Sequence, residues 1–175
     1  MAANRIFSKI ILGVVLTVFI FKDGALAGSR EHLDGLGKFQ FGMTEEQISS
    51  KIKIVKKVDK REGVFYLKSE EKELVPGLSK YSVFYLSNYK LDSVSLNYNR
   101  KGTLRSCEML FDGQVKRLNS KYGAPDKKAV KHDIGHTIIG VVRFSFNDGN
   151  AIDVSMFFGK GEGSCGVDVD YNYKD

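Results

Sequence analysis

The C-terminal third of the chain alternates apolar and polar residues so regularly that one local structure accounts for it. Val142, Phe144 and Phe146 recur at every second position, then Ile152, Val154, Met156 and Phe158, then Val167, Val169, Tyr171 and Tyr173. Successive side chains on a strand point to opposite sides, so a period of two marks a strand with one buried and one wet face. Asn147-Asp148-Gly149-Asn150 puts Asp-Gly at the centre of a tight turn between the first two runs, and the glycine-rich stretch 159–163 separates the second from the third. The pattern predicts a three-stranded antiparallel meander.

Upstream, residues 81–86 and 91–98 read as a β-hairpin across Ser87-Asn88-Tyr89-Lys90, with Val94, Leu96 and Tyr98 alternating against Ser93, Ser95 and Asn97. Val64-Phe65-Tyr66-Leu67 reads as a further strand, and Pro76-Gly77 as a turn. Two segments read as helices. Thr44 is a fit N-cap, with Gln47 three residues on to complete a capping box and Met43 and Ile48 placed as a hydrophobic staple. The second helix spans about 106–122, where Phe111, Val115, Leu118 and Tyr122 fall on one stripe and Gly123 and Pro125 stop it.

The expected fold class is therefore α+β: two helix-then-antiparallel-strand units, about 38–98 and 103–175, with both helices packed on one face of antiparallel sheet. Residues 28–175 suit one domain and are short for two.

The N-terminus reads as a secretory signal peptide over residues 1–27. Arg5 and Lys9 form a positive start, residues 10–21 are an apolar run of about 12, and Ala25-Leu26-Ala27 is a small-x-small cleavage pattern. The run is shorter than the roughly 20 residues a membrane span needs, so no membrane anchor is expected after cleavage, and the product is expected in the periplasm or secreted. Removing Arg5, Lys9 and Lys22 from 27 basic residues, and Asp23 from 21 acidic ones, leaves 24 and 20, a net charge of +4. The positive residues are interspersed with acids, so nucleic acid is not an expected partner. Both cysteines, Cys107 and Cys165, lie in the exported part. In an oxidising compartment they are expected to form one disulfide, closing a loop of about 58 residues for roughly 4 kcal/mol in the chain-entropy picture.

Phe41-Gly42-Met43-Thr44-Glu45-Glu46-Gln47-Ile48 resembles the Phe-Gly-Met-Thr-x-x-Gln-Val opening of secreted helix-and-sheet modules such as the β-lactamase inhibitor protein and the small outer-membrane assembly lipoproteins. Those pack a helix pair on antiparallel sheet and act by binding proteins, so the resemblance implies a non-catalytic binding module. The second helix does not repeat this opening, and no lipidation cysteine follows the leader.

Few residues suggest chemistry. His132 and His136 have the four-residue spacing that places two imidazoles on one helix face for zinc, but Gly135 and the adjoining strand favour a loop and no metal is expected. The stretch Gly159-Lys160-Gly161-Glu162-Gly163 has the ingredients of a phosphate loop, yet it joins strand to strand. Asp153, Asp168 and Asp170 could converge, and Asp168 and Asp170 share a strand face that the pattern places in water. Nothing calls for a cofactor. Tyr81, Tyr85 and Tyr89 stand out because the strand 81–86 is apolar on both faces, Tyr81, Val83 and Tyr85 on one and Phe84 and Leu86 on the other. Helices on one side cannot bury both sets, and tyrosine is common where proteins bind proteins. The expected function is a protein-binding module of inhibitor, immunity or envelope-adapter type using Tyr81, Tyr85 and Tyr89. The alternative is a small extracytoplasmic enzyme using His132 or His136 with a carboxylate.

Overall fold

The computed structural model describes residues 30–71, 81–126 and 130–174. The leader read in residues 1–27 and the turn read at Pro76-Gly77 lie outside them. Among the described residues β1 (Gly35–Leu36) and β2 (Phe39–Gln40) form a small hairpin, followed by α1 (Glu45–Ser49). Then come β3 (Lys56–Arg61), β4 (Val64–Ser69), β5 (Tyr81–Ser87) and β6 (Lys90–Lys101), α2 (Leu104–Tyr122), β7 (Val130–Ile134), β8 (Thr137–Ser145), β9 (Ala151–Gly159) and β10 (Ser164–Asn172). The last eight strands make one sheet in the order β3-β4-β5-β6-β10-β9-β8-β7, antiparallel throughout. Its centre is the pairing of β6 with β10, which runs from Lys101 opposite Ser164 to Ser93 opposite Asn172.

This corrects the expected fold class. The molecule is mostly antiparallel sheet, and two helix-then-strand units with both helices laid on the sheet are not formed. The first helix starts as the sequence implies: Thr44 Oγ1 accepts from the Gln47 amide and Gln47 Oε1 accepts from the Thr44 amide. It then ends after five residues, with Ile48 its one buried side chain. Ser50 Oγ donates to the Gln47 carbonyl at 2.8 Å, a local bond that competes with helix continuation. So short a helix buries too little apolar surface to act as a layer. Irregular chain covers this half instead. Leu33, Phe39, Ile48 and Ile52 are buried in one core with Phe65, Leu67, Phe84 and Leu86, and the Phe39 and Phe84 rings lie 4.7 Å apart.

Helix α2 is the one helical layer, lying across β9 and β10. It begins at Leu104, two residues before the apolar pattern suggests, because Thr103 and Ser106 close a capping box. Phe111 and Leu118 are fully buried, and Val115 and Tyr122 pack partly against the core. The helix sits close on the sheet at Gly140, where an added Cβ would lie 3.4 Å from the Phe111 ring. Cys107, in the first turn of α2, is bonded to Cys165 at the start of β10, with Cα atoms 5.6 Å apart across 58 residues of sequence. That bond and, among the described residues, the lack of a helix long and apolar enough to cross a membrane are compatible with an extracellular location.

The first and last described segments are tied through Asn150, which is 4% exposed. Its Nδ2 donates to the Leu33 carbonyl at 2.9 Å, and its Oδ1 accepts from the Lys174 amide at 2.8 Å. A turn residue thereby clamps Leu33 and Lys174 onto the β8–β9 end of the sheet.

Candidate functional site

One sheet face, bearing Val94, Leu96, Val154, Met156, Val167 and Val169, is buried beneath α2 and the N-terminal segment. No element among the described residues lies over the other face, where Tyr85, Val141 and Phe157 are 44%, 46% and 38% exposed. Strand register sets out its side chains in rows. Lys68, Val83, Ser95, Asp170, Asp153 and Arg143 stand in one row from β4 to β8. Tyr66, Tyr85, Ser93 and Asn172 form the row on one side. Tyr81, Asn97, Asp168, Ser155 and Val141 form the row on the other.

Three regions result. The β4–β5 side is an aromatic wall: the Tyr66 and Tyr85 rings are 5.9 Å apart, Lys60 Nζ lies 5.4 Å from the Tyr66 ring and Lys68 Nζ 4.4 Å from the Tyr81 ring. Bulges between Asp59 and Arg61 and between Tyr85 and Leu86 break the register at one end of this wall. A groove of about 370 Å³ opens there, lined by Lys60, Arg61, Tyr66, Tyr85, Asp92 and Ser93 among others. On the β8–β9 side Phe157 lies over its cross-strand partner Gly166, where an added Cβ would come within 2.0 Å of the ring.

Between them stand the carboxylates. Asp153 is satisfied, taking both Arg143 Nε and a terminal Arg143 nitrogen at 2.8 Å and Asn172 Nδ2 at 3.1 Å. Asp170 is hydrogen-bonded by Ser95, yet burial still pushes its carboxyl up. Asp168 has no hydrogen-bond donor among the described residues, and burial, with the Asp170 charge second, pushes it up to about 6. The Tyr85 hydroxyl is raised by burial and then by the Asp170 charge, with smaller contributions from Tyr66, Asp168 and Tyr81. The sequence placed Asp168 and Asp170 in water; the structure places them half-buried, in the middle of the sheet between β6 and β9.

Of the three singled-out tyrosines, the fold brings two together. Tyr81 and Tyr85 share the open face. Tyr89 lies in the two-residue β5–β6 turn, where Asn88 and Tyr89 adopt φ of 50° and 62°. Its ring leans toward Phe65, 6.3 Å away, and Phe65 projects to the buried face. Tyr66 and Phe157 were missed. The signal for Tyr66 was available in the alternation of Phe65, Leu67 and Ser69, all buried, against Val64, Tyr66 and Lys68.

His132 lies on edge strand β7 and His136 in the β7–β8 turn, both exposed. That differs from the loop expected for both, because His132 is paired opposite Ile139. Along the sheet β7 and β10 are three strand spacings apart, about 14 Å, so neither imidazole reaches the Asp168–Asp170 pair. Lys160 of the glycine-rich turn pairs with Asp133 at 2.6 Å. Among the described residues no group of three or more His, Cys, Asp or Glu side chains is arranged to hold a metal ion. A carboxyl poised near pH 6 is chemically able to exchange protons, but it stands here on an open surface beside tyrosine, serine and asparagine, with no imidazole beside it. No protein-family model, no characterised protein and no solved structure matches the chain.

Proposed function

We propose that this chain is a non-catalytic protein-binding module, exported to the periplasm or beyond, that meets its partner with the open face of its sheet. It is of inhibitor, immunity or envelope-adapter type. The observation that carries this reading is the aromatic wall of Tyr66, Tyr81 and Tyr85 beside incompletely satisfied carboxylates, on a face that the described fold leaves uncovered. Eight strands at about 4.8 Å spacing, five to twelve residues long and about eight on average, give a face of about 34 by 25 Å. That is close to the roughly 800 Å² each partner contributes to a standard interface. Tyrosine is enriched where proteins bind proteins, since it joins apolar area to a polar tip. The enzyme alternative gains nothing from the distance between His132 and the carboxylates.

The test is site-specific photocrosslinking in the native compartment. A photoreactive phenylalanine analogue replaces Tyr85 on the open face, or Met109, which is 68% exposed on the outer side of α2. Discrete adducts from position 85 and none from position 109 support the reading. Adducts from position 109 alone, or from neither position, overturn it.

A further inference from the structure

On the reading that this face meets a protein, we infer that it seats an arginine or lysine side chain of that partner between the Tyr85 ring and the Asp168–Asp170 pair. The argument rests on where the chain has placed its own cations. Lys60 caps the Tyr66 ring and Lys68 the Tyr81 ring, so those rings already act as cation acceptors. Tyr85, opposite Tyr66 on the neighbouring strand and 44% exposed, has no cation over it among the described residues. Arg143 forks Asp153 from the far side, while Asp170 has the Ser95 hydroxyl and Asp168 has none of these. Among the described residues, Tyr66, Tyr81 and Asp153 are each matched by a cation of the chain itself, and Tyr85 and Asp168 are not.

Scarcity of positive charge does not explain the gap, since the exported part carries 24 basic residues against 20 acidic. A half-buried carboxylate without a partner is costly to keep ionised. A guanidinium at this point would stack on the Tyr85 face and present paired N–H donors to the Asp168 carboxylate. A lysine would supply the charge and the ring contact without the fork.

Acidification adds a dependent expectation. Asp168 is faced by Ser155 of β9, by Asn97 and Ser95 of β6, by Tyr81 and Tyr85 of β5 and by Asp170 on its own strand, with Asp153 and Arg143 beyond. None of these is a histidine. With Asp168 pushed up to about 6 in the free protein, about nine in ten copies are protonated at pH 5, so binding of a cation weakens about tenfold between pH 7.5 and 5.

The test uses carbon-detected NMR of the disulfide-bonded protein. It is titrated with acetyl-Gly-Arg-Gly-amide and, separately, with acetyl-Gly-Glu-Gly-amide at fixed ionic strength. The arginine peptide is expected to move the Asp168 and Asp170 carboxyl signals and the Tyr85 ring signals saturably, and the glutamate peptide to leave them in place. Asp168→Asn is expected to weaken the arginine peptide about tenfold, and the wild-type pH titration gives the same answer without any substitution. Shifts confined to other carboxylates, or an affinity unchanged both in Asp168→Asn and at pH 5, overturn the inference. Adducts at position 85 without an arginine effect leave the binding-module reading standing and remove only this inference; absence of adducts at position 85 removes the reading itself.

Discussion

Replacing Asp168 by Asn should make the folded protein more stable at neutral pH, although the change removes a surface charge. Its carboxyl is pushed from an ordinary 3.8 up to about 6, chiefly by burial. Taken at full strength, that rise corresponds to about 3 kcal/mol favouring the neutral form. Asp168 is only half-buried, and solvent screening at such a site takes at least half of this away, leaving about 1–1.5 kcal/mol. The sign follows from linkage. A carboxyl whose folded-state pKa lies above its unfolded value penalises the fold when ionised, so the penalty is complete above pH 6 and fades as pH falls toward 3.8. Urea unfolding of wild type and Asp168→Asn at pH 7.5, 6, 5 and 4 measures this directly. The variant should lead by about 1–1.5 kcal/mol at pH 7.5, or about 2–5 °C in Tm for a domain of this size, and the lead should vanish near pH 4. A variant equal to or weaker than wild type at pH 7.5, or a lead that does not change with pH, would mean that Asp168 is adequately solvated or paired and that the unmatched charge is not there.

Other expectations follow from the same contacts. Replacing Cys107 and Cys165 together by alanine should cost roughly 4 kcal/mol for the 58-residue loop, read as a lower urea midpoint that reductant no longer changes; a reductant-sensitive variant would contradict the pairing. Asn150→Ala strips buried bonds to Leu33 and Lys174 and should destabilise by about 2–3 kcal/mol, with hydrogen exchange rising first at both chain ends; loss of stability under about 0.5 kcal/mol would show that the clamp is not needed. Phe111→Ala empties the space over Gly140 and should cost about 3–5 kcal/mol in calorimetry, whereas an effect near 1 kcal/mol would place α2 more loosely on the sheet.

Local signals carried much of this fold. Alternation located β6, β8, β9 and β10, and the i, i+4, i+7 stripe located α2, because a period of two or of 3.6 is a local property of side-chain direction. The length of α1 was not legible: its cap is encoded in Thr44 and Gln47, but its end depends on how little apolar surface Ile48 and Ile52 offer the sheet, which is a tertiary quantity. The continuous sheet was not legible either, since the β6–β10 pairing joins residues about 70 positions apart and leaves no local trace. For the site, alternation placed Tyr81, Tyr85, Asp168 and Asp170 on strand faces with the correct parity. It could not show that two strands of different origin bring them to one face, nor that Tyr89 leaves the pleat at the turn. Burial of Asp168 belongs to the same class, for a short side chain on a wet face is desolvated only by whatever the adjacent strands raise beside it.

A sheet of this kind can recruit a partner through its edges or through its open face, and β3 argues against the edge. Lys56, Lys57, Lys60 and Arg61 are all exposed along it, and a bulge between Asp59 and Arg61 bends its end out of register. Charged side chains and bulges on an outer strand are how natural sheets prevent another strand from pairing. Several of those charges are also drawn inward: Lys57 pairs with Glu45 at 2.6 Å and lies 4.2 Å from the Phe65 ring, and Lys60 caps Tyr66. This edge strand is thus closed to pairing, while on the face beside it Tyr85 and Asp168 have no cation among the described residues. Substituting Lys56 and Lys60 by threonine should therefore promote self-association through β3, seen as a concentration-dependent rise in mass by light scattering, without raising affinity for the arginine peptide. If the doubly substituted protein stays monomeric at all concentrations, the edge is protected by geometry alone, and its charges must be assigned another role.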